Sequence, residues 1–230
     1  MMESDRPPQT LVVTLASLTV VSGFLDAVSF LGLGHVFIAN MTGNVVLVGF
    51  AAAGAPGFSV AASLCALGFF LGGAVAGGRI AQRVRPHRTL MLVVMVMEAT
   101  LTAAAAIVAG TVPAISGGWP RFTVIALLAF AVGVRNAAVR RVGVRDMTTT
   151  VLTTTLTGLA SDSWLAGCAD PHARYRLTSV FSQFGGALVG AVLVLHVGAA
   201  WSLGVATALV VCTAAFFYRE APLTLGPAGT

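Results

Sequence analysis

The string Asn40-Met41-Thr42-Gly43-Asn44 sets two amides, a hydroxyl and a glycine inside an apolar run from Val36 to Ala53. Gly43 lets the backbone leave helical geometry without a Cβ penalty. In hydrocarbon, unwound backbone is tolerated only where it is buried in protein or lines a watery cavity. Freed carbonyls, side-chain amides and half-helix ends of this kind can bind a small polar solute or an ion. The same residues can also bridge neighbouring helices, with Gly43 permitting close approach. A second polar string, Thr148-Thr149-Thr150 and Thr153-Thr154-Thr155-Leu156-Thr157-Gly158, follows about 110 residues later. Its hydroxyls can line a passage facing Asn40 to Asn44, or can be satisfied on the carbonyl one turn back in a bent helix.

Two carboxylates lie within apolar segments. Asp26 shares a helical face with Thr19, Ser22 and Ser29, at spacings of three and four residues. Glu98 sits in the middle of a later segment, a turn before Thr102 and on a face with Met91 and Met95. Charged groups at such depth are expensive and are normally paired or functional. The Arg135-Asn136 pair supplies a partner, so Asp26 and Arg135 are expected to pair, or Asp26 to couple a proton or cation. Glu98 is the candidate for a second coupling group, or is neutral and hydrogen-bonded to a neighbouring helix. Enzyme templates find no match: there is no His-Glu-x-x-His helix, no Gly-x-Ser-x-Gly elbow and no phosphate-cradling loop with lysine. Asp162, Asp170 and His172 fit no familiar ligand spacing. The expectation is a protein without catalytic residues, metal or cofactor.

The elements that must hold these groups are membrane helices. Of 230 residues, 57% are hydrophobic and only 9% charged, against roughly 25% in soluble domains. So few charges cannot cover a water-exposed surface, and several windows approach the roughly 20 apolar residues that span a bilayer. The net charge of +5 comes from arginines placed beside apolar segments, the pattern of cytoplasmic loop anchors rather than of a nucleic-acid-binding module. Cys65, Cys168 and Cys212 are isolated and suggest no disulfide framework. The first apolar run is too long for the core of a signal peptide and reads as a membrane helix. Segments are expected at about 10–33, 36–53, 58–78, 89–110, 122–139, 147–166, 177–197 and 199–218, all within a single integral membrane domain spanning 1–230.

Two halves, about 10–110 and 122–218, share anchors in the same order. Gly23 to Val28 aligns with Gly133 to Ala138, Thr42-Gly43-Asn44 with Thr153-Thr154-Thr155, and Gly72 to Gly77 with Gly185 to Gly190. If all eight segments cross, the arginines divide almost evenly between the two sides. If 36–53 and 147–166 enter and return on one side, Arg121 alone faces outward, leaving aside Arg135 within a helix, and the positive-inside rule is satisfied. The preferred architecture is therefore an all-α polytopic protein with six transmembrane helices, two re-entrant or broken segments and both termini cytoplasmic. Three crossings per half invert the repeats relative to one another, as in many secondary transporters; eight crossings, the alternative, make them parallel.

Gly23-Phe24-Leu25-Asp26-Ala27-Val28-Ser29-Phe30, Ala39 to Asn44, Arg135 to Ala138, Thr148 to Thr150 and Leu156-Thr157-Gly158 resemble the YoaK-like family of bacterial multi-pass membrane proteins, whose domain has no assigned function. The resemblance covers nearly the whole chain. It implies the bacterial inner membrane and brings no substrate or catalytic residue with it. From the residues themselves, the expected function is a small-solute or ion transporter, with a midplane site at the repeat interface formed by Asp26, Asn40, Thr42, Gly43, Asn44 and Thr153 to Thr155, and with Glu98, Arg135 and Asn136 as coupling or ion-pair groups. A non-transporting scaffold or regulator is the alternative. The expected partners are the lipid bilayer, an unidentified small solute or ion and a second copy of the chain, with no nucleic acid.

Overall fold

A computed structural model describes residues 8–111, 118–142, 152–163 and 173–221. Among these, every regular element is a helix: α1 (Gln9–Gly32), α2 (Met41–Ala52), α3 (Val60–Arg83), α4 (His87–Gly110), α5 (Gly118–Val142), α6 (Leu152–Ser161), α7 (Ala173–Val197) and α8 (Ala199–Glu220). Six of them, α1, α3, α4, α5, α7 and α8, run for 22 to 25 residues and are apolar enough to cross a membrane. At 1.5 Å per residue such helices reach about 33 Å or more, enough for a hydrocarbon core of about 30 Å. By the same measure the 12 residues of α2 and the 10 of α6 reach only about 18 and 15 Å. The apolar run 36–53 is long enough to cross, but Asn40 ends its continuity: the amide accepts the Gly43 N–H as an N-cap, so the helix begins only at Met41. Thr148 to Thr150, Asp170 and His172 lie outside the described residues.

α1 and α5 are the most enclosed helices. α7 packs along α1 and α3 along α5, while α4 and α8 pack on each other and close the bundle, α4 against α5 and α8 against α1. The seams on α1 and α5 are made by glycine. A Cβ on Gly23 would collide with the backbone of Gln183 and Ala187, and one on Gly133 with that of Phe70 and Ala74. Conversely, Gly186 and Gly190 meet the backbone of Val20 and Phe24, as Gly73 and Gly77 meet that of Phe130 and Val134. Backbones this close admit no side chain between them.

Contacts at the helix ends define two poles. Thr10 at the start of α1 donates to the Glu220 carbonyl, and Arg88 at the start of α4 donates to the Tyr218 carbonyl at 2.6 Å, so these termini share a pole with the end of α8. At the opposite pole, Arg121 near the start of α5 donates to the Gly34 carbonyl just after α1. α1 and α5 therefore run in opposite directions.

Candidate functional site

The chain leaves α1 at Gly32, turns through Gly34 and His35 with positive φ, and dips back into the bundle before α2 begins. The dip is fixed by Asp26. Its Oδ1 accepts the backbone N–H groups of Ile38 at 2.9 Å, Ala39 at 2.7 Å and Asn40 at 3.4 Å. Asp26 lies six residues before the end of α1, about 9 Å below the pole, so α2 starts inside the bundle. Its other end returns to the same pole: His35 Nδ1 lies 3.0 Å from the Gly57 carbonyl, and the His35 ring meets Phe58. A carboxylate accepting several N–H groups at a helix start also meets the positive end of the helix dipole.

Asn44 completes the clamp. Its Oδ1 accepts the Phe37 N–H at 2.9 Å and its Nδ2 donates to the Phe37 carbonyl at 2.7 Å, pairing the dipping strand as a neighbouring backbone would. Asn44 is fully buried, whereas Asn40 and Thr42 are exposed. Gly43 admits the Phe37 ring, which a Cβ would strike. The polar string thus builds the entry of α2, and Asn40 and Thr42 are the members left facing outward.

Arg135 departs from the expected pairing. Its Nη1 donates to Glu98 Oε1 at 2.6 Å and its Nη2 to Ser22 Oγ at 2.5 Å, with Arg135, Glu98 and Ser22 all fully buried. The ion pair is with Glu98, not Asp26. The reason is geometric: Ser22 is one turn before Asp26 on α1, and the three loop N–H groups already hold Oδ1 of Asp26. Ser22, Arg135 and Glu98 form one buried hydrogen-bonded row joining α1, α5 and α4, with Asp26 one turn from Ser22 on α1. Thr19 and Ser22 donate to the carbonyls one turn back, and Ser29 donates to the Asp26 carbonyl. Glu98 Oε2, Thr102 Oγ1 and Arg135 Nε are buried without a hydrogen-bond partner among the described residues.

The threonine string is not brought to this row. α6 packs on α7 and α2 on α3. On α6, Thr155 is buried while Thr153 and Thr154 are exposed. The end of α6 is tied by Asp162, whose Oδ2 accepts from Arg176 Nη1 at 2.7 Å. That charged hydrogen bond, with one from Ser161, holds the Asp162 carboxyl below the usual carboxylate range. Asn136 stands beside Arg135 on a partly buried face of α5 and takes part in interactions of its own.

Sequence reasoning found each member of the buried row but not its connections. No local signal announces that residues 38–40 will fold back onto Asp26, or that Glu98 and Arg135, 37 positions apart, will meet.

A family described as "Protein of unknown function (DUF1275)" matches residues 14–216. The chain belongs to this family. With six helices long and apolar enough to cross a membrane, it is a multi-pass membrane protein. "UPF0700 transmembrane protein YoaK" of Bacillus subtilis (strain 168) is 32% identical over 149 residues, which is 64% of this chain and 65% of the relative. The match thus spans a little under two thirds of either protein. No solved structure matches.

Proposed function

We propose that this DUF1275 protein moves a small solute or an ion across the cytoplasmic membrane through a site at the buried end of α2. The observation that carries the reading is the fully buried Arg135–Glu98 pair, bonded to Ser22 one turn from Asp26 in the interior of a six-helix bundle. Ionisable side chains at membrane depth are costly and mark substrate or ion pathways by default. A short helix that begins inside the bundle is the usual way for such a pathway to present backbone and dipole to a ligand.

Two further features support it. The matched glycine seams, Gly23 and Gly133 with Gly186/Gly190 and Gly73/Gly77, are what two halves arranged as inverted repeats would show. α2 and α6 then serve opposite poles, and access alternates as one entry loosens while the other closes. In this scheme Asp26, Asn40, Thr42, Gly43 and Asn44 form the outer binding surface and Thr153 to Thr155 the inner one. Arg79, Arg83, Arg85, Arg88, Arg140, Arg141, Arg174, Arg176 and Arg219 belong to the pole of the α8 terminus, which the positive-inside rule assigns to the cytoplasm.

A scaffold or regulatory role is the second reading, favoured by the clamp itself, since Asp26 and Asn44 bind the protein's own backbone. The two are separated by flux. Proteoliposomes are challenged with sodium, potassium, chloride, and a set of amino acids, organic acids and amines on a charge-sensing supported membrane. Transport gives a signal above protein-free liposomes that Asp26→Asn abolishes. Silence across the set, or a signal indifferent to Asp26→Asn, sinks the Asp26 pathway and favours the scaffold.

A further inference from the structure

The chain has eight acidic residues, and of these only Asp26 and Glu98 lie in the interior of described spanning helices. Both are buried, and among the described residues the one fully buried cation, Arg135, accompanies them. Two carboxylates against one guanidinium leave a negative charge in a region where an uncompensated charge is held only at great cost. The two carboxylates are not equivalent. Asp26 has three backbone N–H donors and the start of α2 to stabilise its anion. Glu98 has a single partner, Arg135, and it uses only Oε1. Its Oε2 has none, and neither has the Thr102 hydroxyl one turn further along the same buried face.

We infer that Glu98 binds an exchangeable proton on Oε2, and that this carboxyl is the protein's proton site. The proton forms an O–H bond at Oε2, the oxygen that no hydrogen bond among the described residues holds. Oε1 stays an acceptor for Arg135 Nη1, as a carbonyl oxygen does. The Arg135 charge then balances Asp26, which lies one turn along α1 from the Ser22 that Arg135 holds, and the interior is neutral. Release returns the proton to water and leaves Glu98 as an anion competing with Asp26 for one guanidinium. The competition reaches the entry of α2, because Asp26 is the residue that holds it. The charged groups facing Glu98 are Arg135 from α5 and, beyond Ser22, Asp26 from α1. Among the described residues, the buried faces of α8 and α3 bring no titratable side chain to it: Cys65 of α3 turns to the Phe122 carbonyl, and Cys212 of α8 is exposed. The purpose of this proton, coupling, rests on the transport reading; its presence does not.

Infrared difference spectroscopy on the full chain in lipid nanodiscs tests it at neutral pH. The wild type is expected to show a protonated-carboxyl C=O band that shifts in deuterium oxide. Glu98→Gln removes the band. Asp26→Asn also removes it, since Arg135 then has one carboxylate to balance and Glu98 ionises. Carbon-13 labelling of the glutamate carboxyls lowers the band's frequency, and its failure to do so overturns the assignment even if Glu98→Gln does not fold. Absence of the band in the wild type, its survival in Glu98→Gln, or its appearance only when sodium is withdrawn overturns the proton site. Flux without the band defeats this inference and spares transport; the band without flux does the reverse.

Discussion

At the scale of single residues, two side chains hold structure that no neighbouring group can replace. Asp26 satisfies the Ile38 and Ala39 donors, which would otherwise be buried unpaired, and also accepts the Asn40 N–H at the start of α2. Hydrogen bonds to a charged acceptor contribute about 1.5–3 kcal/mol, so Asp26→Ala is expected to lower stability by about that amount. Intrinsic-fluorescence melting in detergent reads the loss, and raised proteolysis at residues 33–40 locates it. Among the described residues, Arg135 is the one fully buried guanidinium, and it accompanies two buried carboxylates. Arg135→Met leaves buried negative charge uncompensated and should cost about 3–5 kcal/mol. A melting temperature within a degree of the wild type contradicts the arrangement described for the row.

At the scale of elements, the glycine seams make a graded prediction. Alanine at Gly23 or Gly133 drives a methyl into the facing backbone, whereas Gly72 and Gly185 look into open space. Gly23→Ala and Gly133→Ala should each destabilise by about 1–3 kcal/mol and to a similar degree, because their contacts match. Gly72→Ala should change stability by no more than about 0.5 kcal/mol. Unequal effects at Gly23 and Gly133 argue against equivalent seams. The α6 end carries a pH signature. Asp162 has a lowered pKa through Arg176, so its pairing stabilises the fold above the ordinary aspartate pKa and is lost as pH falls through the lowered value. Asp162→Asn should therefore separate from the wild type at neutral pH and converge with it in strong acid, as thermal melts across acidic buffers will reveal. The effect is small, because Asp162 is exposed to solvent.

At the scale of the whole molecule, the contacts place the 53–58 loop and the α8 terminus at opposite poles. In a bilayer those poles become opposite faces. A cysteine at position 55 should react with an impermeant thiol reagent from outside intact cells, and one following the α8 terminus only in inverted vesicles. Labelling of both from the same face defeats the six-span topology. The outward faces of α3 and α7, with Leu64, Leu71, Phe181 and Leu195 exposed, suit lipid contact, and a shallow apolar groove of about 360 Å³ runs between Leu64, Gly72 and Phe130.

Composition and hydropathy determined the membrane class and the all-helical fold, because hydrocarbon admits few backbone arrangements and each must satisfy its own hydrogen bonds. The spanning helices were legible for that reason, with ends within about five residues of those observed. So was the unusual character of Asn40 to Asn44, since amides and glycine interrupt an apolar helix by their own local chemistry. Partnership was not legible. Asp26 and Arg135 looked complementary in sequence, yet Arg135 lies against Glu98 and Ser22, and Asp26 holds the backbone of residues 38–40. Those choices depend on how α1, α4 and α5 approach one another, which the glycine contacts set at a distance in sequence. Only the tertiary structure converts a list of costly polar groups into one connected row.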